Sequence, residues 1–282
     1  MSATPIEHRP EDLTCTTPCD ITLEALQHTL AAARQWLPVD PPHPGRRTVG
    51  KVISENLTGP HRLGFGTLRD YLIGLDIDLA DGTRIRSGGQ VVKNVAGYDL
   101  HKLFIGSRGS LGTPVRATFR LLPLPAARHA AGLTAPTVVE AFRFAAEAFR
   151  RVPLLVALDV CRPGAADLAC HVHARCAGTE PDVQDQSRRL AELGFLPIDP
   201  IRWDEQLWPD PSQPPTRSTV LPSHLPSATL DLGDRPFVAR AGNGILLHSG
   251  PPVRRRREPP RFLLDRLKAA FDPEGHLPPL PE

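Results

Sequence analysis

The sequence predicts an α+β protein: a glycine-rich β domain first, then helices laid on one face of an antiparallel sheet. Three observations carry this. Leu75, Ile77 and Leu79 alternate with Asp76 and Asp78 ahead of Asp81-Gly82, the pattern of a β-hairpin with a tight turn. Val138, Ala141, Phe142, Ala145 and Phe149 recur at helical spacing behind a Thr137-x-x-Glu140 capping box, which turns these five inward. A proline-dense stretch at 123–136 separates the two regions and marks a boundary.

The elements follow in order. A short β-prone run at 13–17 precedes a helix that Thr22 caps, with Leu23, Leu26, Leu30 and Ala33 on one face and Pro38 as its stop. Residues 40–47 form a proline-rich loop. Residues 48–66 lack periodicity and read as a long ordered loop, which is uncommon unless it serves a ligand. After the hairpin, a short helix is expected from Asp99, then a glycine-rich turn at 106–112. A strand follows in which Val115, Ala117, Phe119 and Leu121 face one way. The second half offers strands at 154–160 and 168–175 and a helix over 181–193 ended by Gly194. A proline/serine linker or surface loop is expected at 209–226, then short strands at 228–232, 237–240 and 244–248. A last helix covers 261–271. The domain boundaries expected are 1–124, 125–258 and 259–282.

Composition excludes more than it assigns. Hydrophobic residues are 40% and charged residues 23% of 282, ordinary for a globular protein. A net charge of +2 offers no electrostatic case for nucleic acid. No stretch approaches the roughly 20 apolar residues of a bilayer span, and the first twelve residues lack a signal-peptide core, so a cytoplasmic protein is expected. Cys15, Cys19, Cys161, Cys170 and Cys176 are odd in number with no CxxC spacing, and read as reduced structural thiols.

The chemistry concentrates in residues 40–112. A phosphate-bearing cofactor needs converging backbone N–H groups, and glycine lets the backbone come close. Gly50, Gly59, Gly64, Gly66, Gly106, Gly109 and Gly112 offer such positions on loops, although the turns of an ordinary β-rich domain look the same. Gly64-Phe65-Gly66 has neither the preceding strand nor the following helix of a dinucleotide fingerprint.

The order of segments decides between these readings. Asp40-Pro41-Pro42 is followed by Thr48-Val49-Gly50, Asn56, Gly59, Arg62 and Phe65-Gly66. The chain then reads Ala80-Asp81-Gly82, Lys93-Asn94-Val95-Ala96-Gly97-Tyr98-Asp99-Leu100, Lys102-Leu103-Phe104, Gly106-Ser107 and Ser110-Leu111-Gly112. This resembles the PCMH-type FAD-binding domain of the vanillyl-alcohol-oxidase/p-cresol-methylhydroxylase superfamily. Within it, the run 93–100 looks like the small FAD-binding subunits of glycolate oxidases. The resemblance covers 13–123 and resumes at Lys268-Ala269-Ala270-Phe271-Asp272-Pro273.

The resemblance implies non-covalent FAD, with Pro41, Pro42, Thr48, Val49, Gly50, Asn56, Gly59, Arg62, Gly66, Gly97, Gly106, Ser107, Gly109 and Gly112 as the cofactor-binding residues. It implies a cap domain over 133–249. It implies oxidation of a small 2-hydroxy acid such as glycolate, with hydride passing to the flavin and electrons onward to an acceptor. The implied partners are a larger FAD subunit and an iron–sulfur subunit, which could hold the protein peripherally at a membrane. Catalysis would lie in a sister subunit, so no catalytic residue is expected here. Arg62 is a candidate carboxylate clamp and equally a phosphate or structural contact.

Departures define a second reading. The family's opening strand–glycine loop–strand unit, which cradles the pyrophosphate, is expected to be missing, so the domain reads as N-terminally truncated. Lys51 stands where a second glycine is usual, and Thr113-Pro114-Val115-Arg116 replaces the usual sequence after Gly112. Pro114 lacks a backbone donor. These features fit a degenerate, non-catalytic structural subunit that no longer binds FAD.

Other candidates are weaker. His171 and His173 alternate on one strand face without a third metal ligand, so a solvated face is expected. The arginines at 254–257 read as a solvated loop. Trp203 and Trp208, flanking Asp204-Glu205, read as packing residues. Gly106-Ser107-Arg108-Gly109 is not a hydrolase elbow.

Overall fold

The structure is a computed structural model and describes residues 5–89, 99–165, 167–253 and 260–280. In chain order its first elements are β1 (Glu7–Arg9), β2 (Thr14–Pro18), α1 (Leu23–Ala31), β3 (Gln35–Trp36), α2 (Val49–Ser54), α3 (Arg62–Phe65), α4 (Leu68–Tyr71), β4 (Leu72–Asp78), β5 (Arg84–Gly88), β6 (Thr113–Arg120) and β7 (Leu122–Pro123). They continue with β8 (Ala127–Ala135), α5 (Val138–Arg151), β9 (Leu155–Arg162), β10 (Cys170–Gly178), α6 (Glu180–Glu192), β11 (Leu196–Pro197), α7 (Trp203–Leu207), β12 (Thr216–Thr219), α8 (Leu225–Leu230), β13 (Phe237–Arg240), β14 (Ile245–His248) and α9 (Arg261–Phe271).

The chain divides into two compact units. One comprises Met1–Gly59, Thr67–Leu124 and Arg257–Glu282; the other comprises Pro60–Gly66 and Pro125–Arg256. The first unit is an antiparallel sheet of order β1-β2-β6-β4-β5. Its core joins Leu23, Leu26 and Leu30 of α1, Val49, Val52 and Ile53 of α2, and the inward residues Leu72, Leu75, Ile77, Ala117 and Phe119 of the sheet. α1 forms as its cap and spacing predict: the Thr22 side chain accepts from the Ala25 N–H. The hairpin turn holds because Gly82 adopts φ +81° in open space and Asp81 accepts from the Thr83 N–H.

The second unit is a seven-stranded antiparallel sheet of order β11-β8-β10-β9-β13-β14-β12. Helices α5 and α6 pack on one face. Val138, Ala141, Phe142, Ala145 and Ala148 of α5 meet Val172, Ala174 and Cys176 of β10, so His171, His173 and Arg175 point to the other face.

Five expectations are corrected. Residues 48–66 are not a loop: α2 and α3 form there, because Thr48 caps α2 and three β-branched residues, Val49, Val52 and Ile53, bury one face. The stretch 209–226 contains β12, held by pairing with β14. Residues 228–232 are not a strand; the C-terminal part of α8 lies there, burying Leu225, Ala228 and Thr229. Phe149 points outward at 53% exposure, since the buried stripe of α5 passes through Ala148 instead. Ala33 lies beyond the end of α1. No described helix is long and apolar enough to cross a membrane.

Candidate functional site

In the first unit, the segment from Asp40 to Gly59 wraps onto the sheet through its own backbone. Thr48 accepts from the Lys51 N–H and bridges to Thr22. The Val49 N–H donates to Ile21 O (2.9 Å) and the Gly50 N–H to Cys19 O (2.8 Å). A Cβ on Gly50 would lie 3.1 Å from that same carbonyl, a tight approach that glycine eases. A Cβ on Gly59 would collide with the Asp40 carbonyl, which fixes how closely these two loops cross. Lys51 sits half-exposed with Glu55 at 3.7 Å, one turn along α2.

The glycine-rich turn closes against the end of α2. The Gly106 N–H donates to Ile53 O (3.0 Å) and the Arg108 N–H to Ser54 O (2.8 Å), satisfying two of the helix's last carbonyls. Gly106 and Gly109 take φ +84° and +81°, which L-residues rarely adopt. Gly106 also faces Asn56, which ends α2 at φ +51°. Gly112 packs on Ile77 and Asp78, leaving no room for a side chain. Pro114, opposite Ile77, falls where the β4–β6 register shifts, so its missing N–H interrupts an already irregular ladder.

These hydrogen bonds bear on what the site can hold. The N–H groups of Val49, Gly50, Gly106 and Ser107 all donate within the chain, to Ile21, Cys19, Ile53 and Phe104. One group of the turn fits a ligand. Ser107 Oγ is buried, with no hydrogen-bond partner among the described residues, and a bound acceptor would remove the cost of that unmet donor. Pro41, Pro42, Thr48, Val49, Gly50, Asn56, Gly59, Gly106, Ser107, Gly109 and Gly112 all belong to this unit. Arg62 and Gly66 belong to the other unit, and Gly97 with the run 93–98 lies outside the described residues.

The second unit holds a polar cluster whose members Asp159 and Arg240 the sequence reading did not single out. Asp159 of β9 and Arg240 of β13 are register partners, and His173 of β10 is Asp159's partner on the other side. Arg240 donates to Asp159 at 2.7 Å and also to Asp204 of α7; all three are buried. Burial raises the Asp204 carboxyl above its usual range, opposed by Arg240. Trp203 stacks on His171 and donates from Nε1 to His173 Nδ1 (3.2 Å); His171 also meets Asp167. Desolvation lowers His173 to about 4, so it is neutral at pH 7. His173 is buried beside Trp203, while His171 stacks on the same ring and keeps part of its exposure. Among the described residues no group of three His, Cys, Asp or Glu could hold a metal ion. The sequence picks out His171, His173, Trp203 and Asp204 singly, but no local pattern joins them to Asp159 and Arg240. The arginines at 254–257 lie outside the described residues.

Comparison with known proteins finds a sequence likeness over part of the chain. The FAD binding domain family matches residues 3–88. The likeness is to the FAD-binding PCMH-type family and, in this match and the two that follow, covers less than half of the chain. It is 38% identical over 123 residues to glycolate oxidase subunit GlcE of Escherichia coli (strain K12), covering 43% of this chain and 35% of that protein. It is 42% identical over 121 residues to glycolate oxidase subunit GlcD of Bacillus subtilis (strain 168), covering 43% and 26%. The chain thus spans about a third or less of the length of these relatives. A solved structure of alkyldihydroxyacetonephosphate synthase superposes with a TM-score of 0.75 over 98% of this chain and 66% of that one. At 14% identity this shows the fold alone.

Proposed function

We propose that this chain is the FAD-binding subunit of a glycolate-type 2-hydroxy-acid oxidase or dehydrogenase, acting beside a larger FAD subunit and an iron–sulfur subunit. The 38% identity to a glycolate oxidase subunit carries the reading. The buried, unpartnered Ser107 hydroxyl supports it from the chain's own geometry. FAD, when bound, supplies a two-electron acceptor for the carbon that bears the hydroxyl; the protein holds it and excludes water. Pro41, Pro42, Thr48, Asn56, Gly59 and Ser107 are the residues of the first unit that would line it. Five buried cysteines, all free, support a reducing compartment such as the cytoplasm.

A second reading, a structural subunit without FAD, is favoured by one observation. The N–H groups of Val49, Gly50, Gly106 and Arg108, which a pyrophosphate would need, already donate to carbonyls of the chain. An absorbance spectrum of the purified chain decides between the two. Flavin bands near stoichiometry would sink the structural reading. A colourless protein whose melting temperature FAD does not raise would sink the flavoprotein reading.

A further inference from the structure

The C-terminal helix α9 grips the glycine-rich turn of the first unit at two points. Leu267 and Phe271, four residues apart on one face, pack against the core, and the Phe271 ring meets Phe104 edge-on at 5.7 Å. Between them Lys268 sends its ammonium to Ser110 O (2.9 Å), Leu277 O (3.1 Å) and Pro278 O (2.8 Å), with the Asp272 carboxylate at 2.6 Å. Asp272 in turn accepts from the N–H groups of His276 (2.8 Å) and Leu277 (2.9 Å), folding the tail back over the lysine. Ser110 is fully buried, and both its N–H and its hydroxyl donate to Ser107 O. One chain of contacts therefore runs from α9 through Lys268 and Ser110 to Ser107, the residue whose buried hydroxyl has no partner.

We propose that Lys268 is a positioning residue: by holding the Ser110 carbonyl it fixes the 106–112 turn, and with it the Ser107 hydroxyl that meets the flavin. The flavin half of this rests on the reading of the chain as an FAD-binding subunit. The hold on the turn stands on geometry alone. A compact ammonium surrounded by three carbonyls and a carboxylate is a fit that a planar guanidinium reproduces only in part.

The test uses the full chain as wild type, Lys268→Met and Lys268→Arg, with two readouts. Without FAD, amide hydrogen exchange at Gly106, Arg108 and Ser110 should quicken about tenfold in Lys268→Met, the scale of one lost hydrogen bond from a charged donor. The amides of β10 in the other unit should be unchanged. With FAD, a fluorescence titration should show about tenfold weaker binding in Lys268→Met, partly restored in Lys268→Arg. Turn amides that exchange as in wild type overturn the proposal. So does a loosened turn with unaltered FAD affinity, which makes Lys268 a structural staple only. Wild type that takes up no FAD overturns the proposed function and the flavin half together, while exchange still decides whether Lys268 fixes the turn. Should Lys268→Met fail to fold, Lys268→Arg carries both readouts at reduced amplitude.

Discussion

In the unit built on five strands, opposite charges meet at the surface: Arg84 reaches Asp78 at 2.6 Å and Arg86 reaches Asp76 at 2.7 Å across the β4–β5 pair. In the unit built on seven strands, Arg240 lies 4% exposed between the buried carboxylates of Asp159 and Asp204. Water solvates the first kind of pair in both the folded and the unfolded chain, so it contributes little. The second has given up its hydration, and each member depends on the others. Both units place glycine where backbone approaches backbone. Gly59 and Gly50 lie against the carbonyls of Asp40 and Cys19, and Gly244 of the other unit lies against the carbonyl of Val220, while Gly242 there meets the side chain of Leu63. The contrast between these ion pairs lies in how far each is solvated, not in how closely the backbones of the two units pack.

Replacing the arginine should break this contrast most severely. Arg240→Ala leaves two buried carboxylates without their cation and should cost about 3–5 kcal/mol in urea unfolding. Arg84→Ala, measured beside it, should leave the midpoint in place. Equal effects would end the distinction between the two units. Gly59→Ala comes next. Its Cβ must push against the Asp40 carbonyl, and overpacking of this kind should cost about 1–3 kcal/mol, read as a lowered melting temperature. A neutral outcome would mean that the crossing of these loops is not fixed.

The smallest effects are in pH dependence, where the two units should differ in sign. Asp272 is held at about 2, first by the Lys268 hydrogen bond and then by the N–H groups of Leu277 and His276. Its contribution is present above its unfolded value of about 3.9 and is lost as the pH falls through about 2. Wild type and Asp272→Asn should therefore converge in stability on acidification to that point. Asp204 is raised by burial, so the folded chain binds its proton more tightly than the unfolded chain. Wild type should lose ground to Asp204→Asn as the pH rises above about 3.9. Unfolding midpoints along a pH series would show two trends of opposite sign, or refute one of the assignments.

What could be read from the sequence was what local chemistry decides. Thr22 and Thr137 cap α1 and α5 because a side-chain oxygen three residues ahead of an N–H is a local arrangement. Asp81-Gly82 marks its turn for the same reason. Helix α2 was hidden because Gly50 weakens its propensity, and what selects it is burial of Val49, Val52 and Ile53. The ion cluster was hidden because its members lie 81 and 36 residues apart, and no local pattern joins them. At the candidate site, the glycines were legible but the destinations of their N–H groups were not. Whether Gly106 serves a phosphate or the end of a helix depends on Ile53, far away in sequence.

The five cysteines carry a consequence of their own. Cys15 and Cys19 lie in one unit and Cys161, Cys170 and Cys176 in the other, all buried and all free. Burial pushes Cys15, Cys19 and Cys176 up to about 12, so the folded thiols are almost wholly protonated and inert to alkylating reagents. Each unit therefore carries its own set of silent chemical labels, two in one and three in the other. The number of thiols that react in a pulse of reagent tells an observer which half of the molecule has opened.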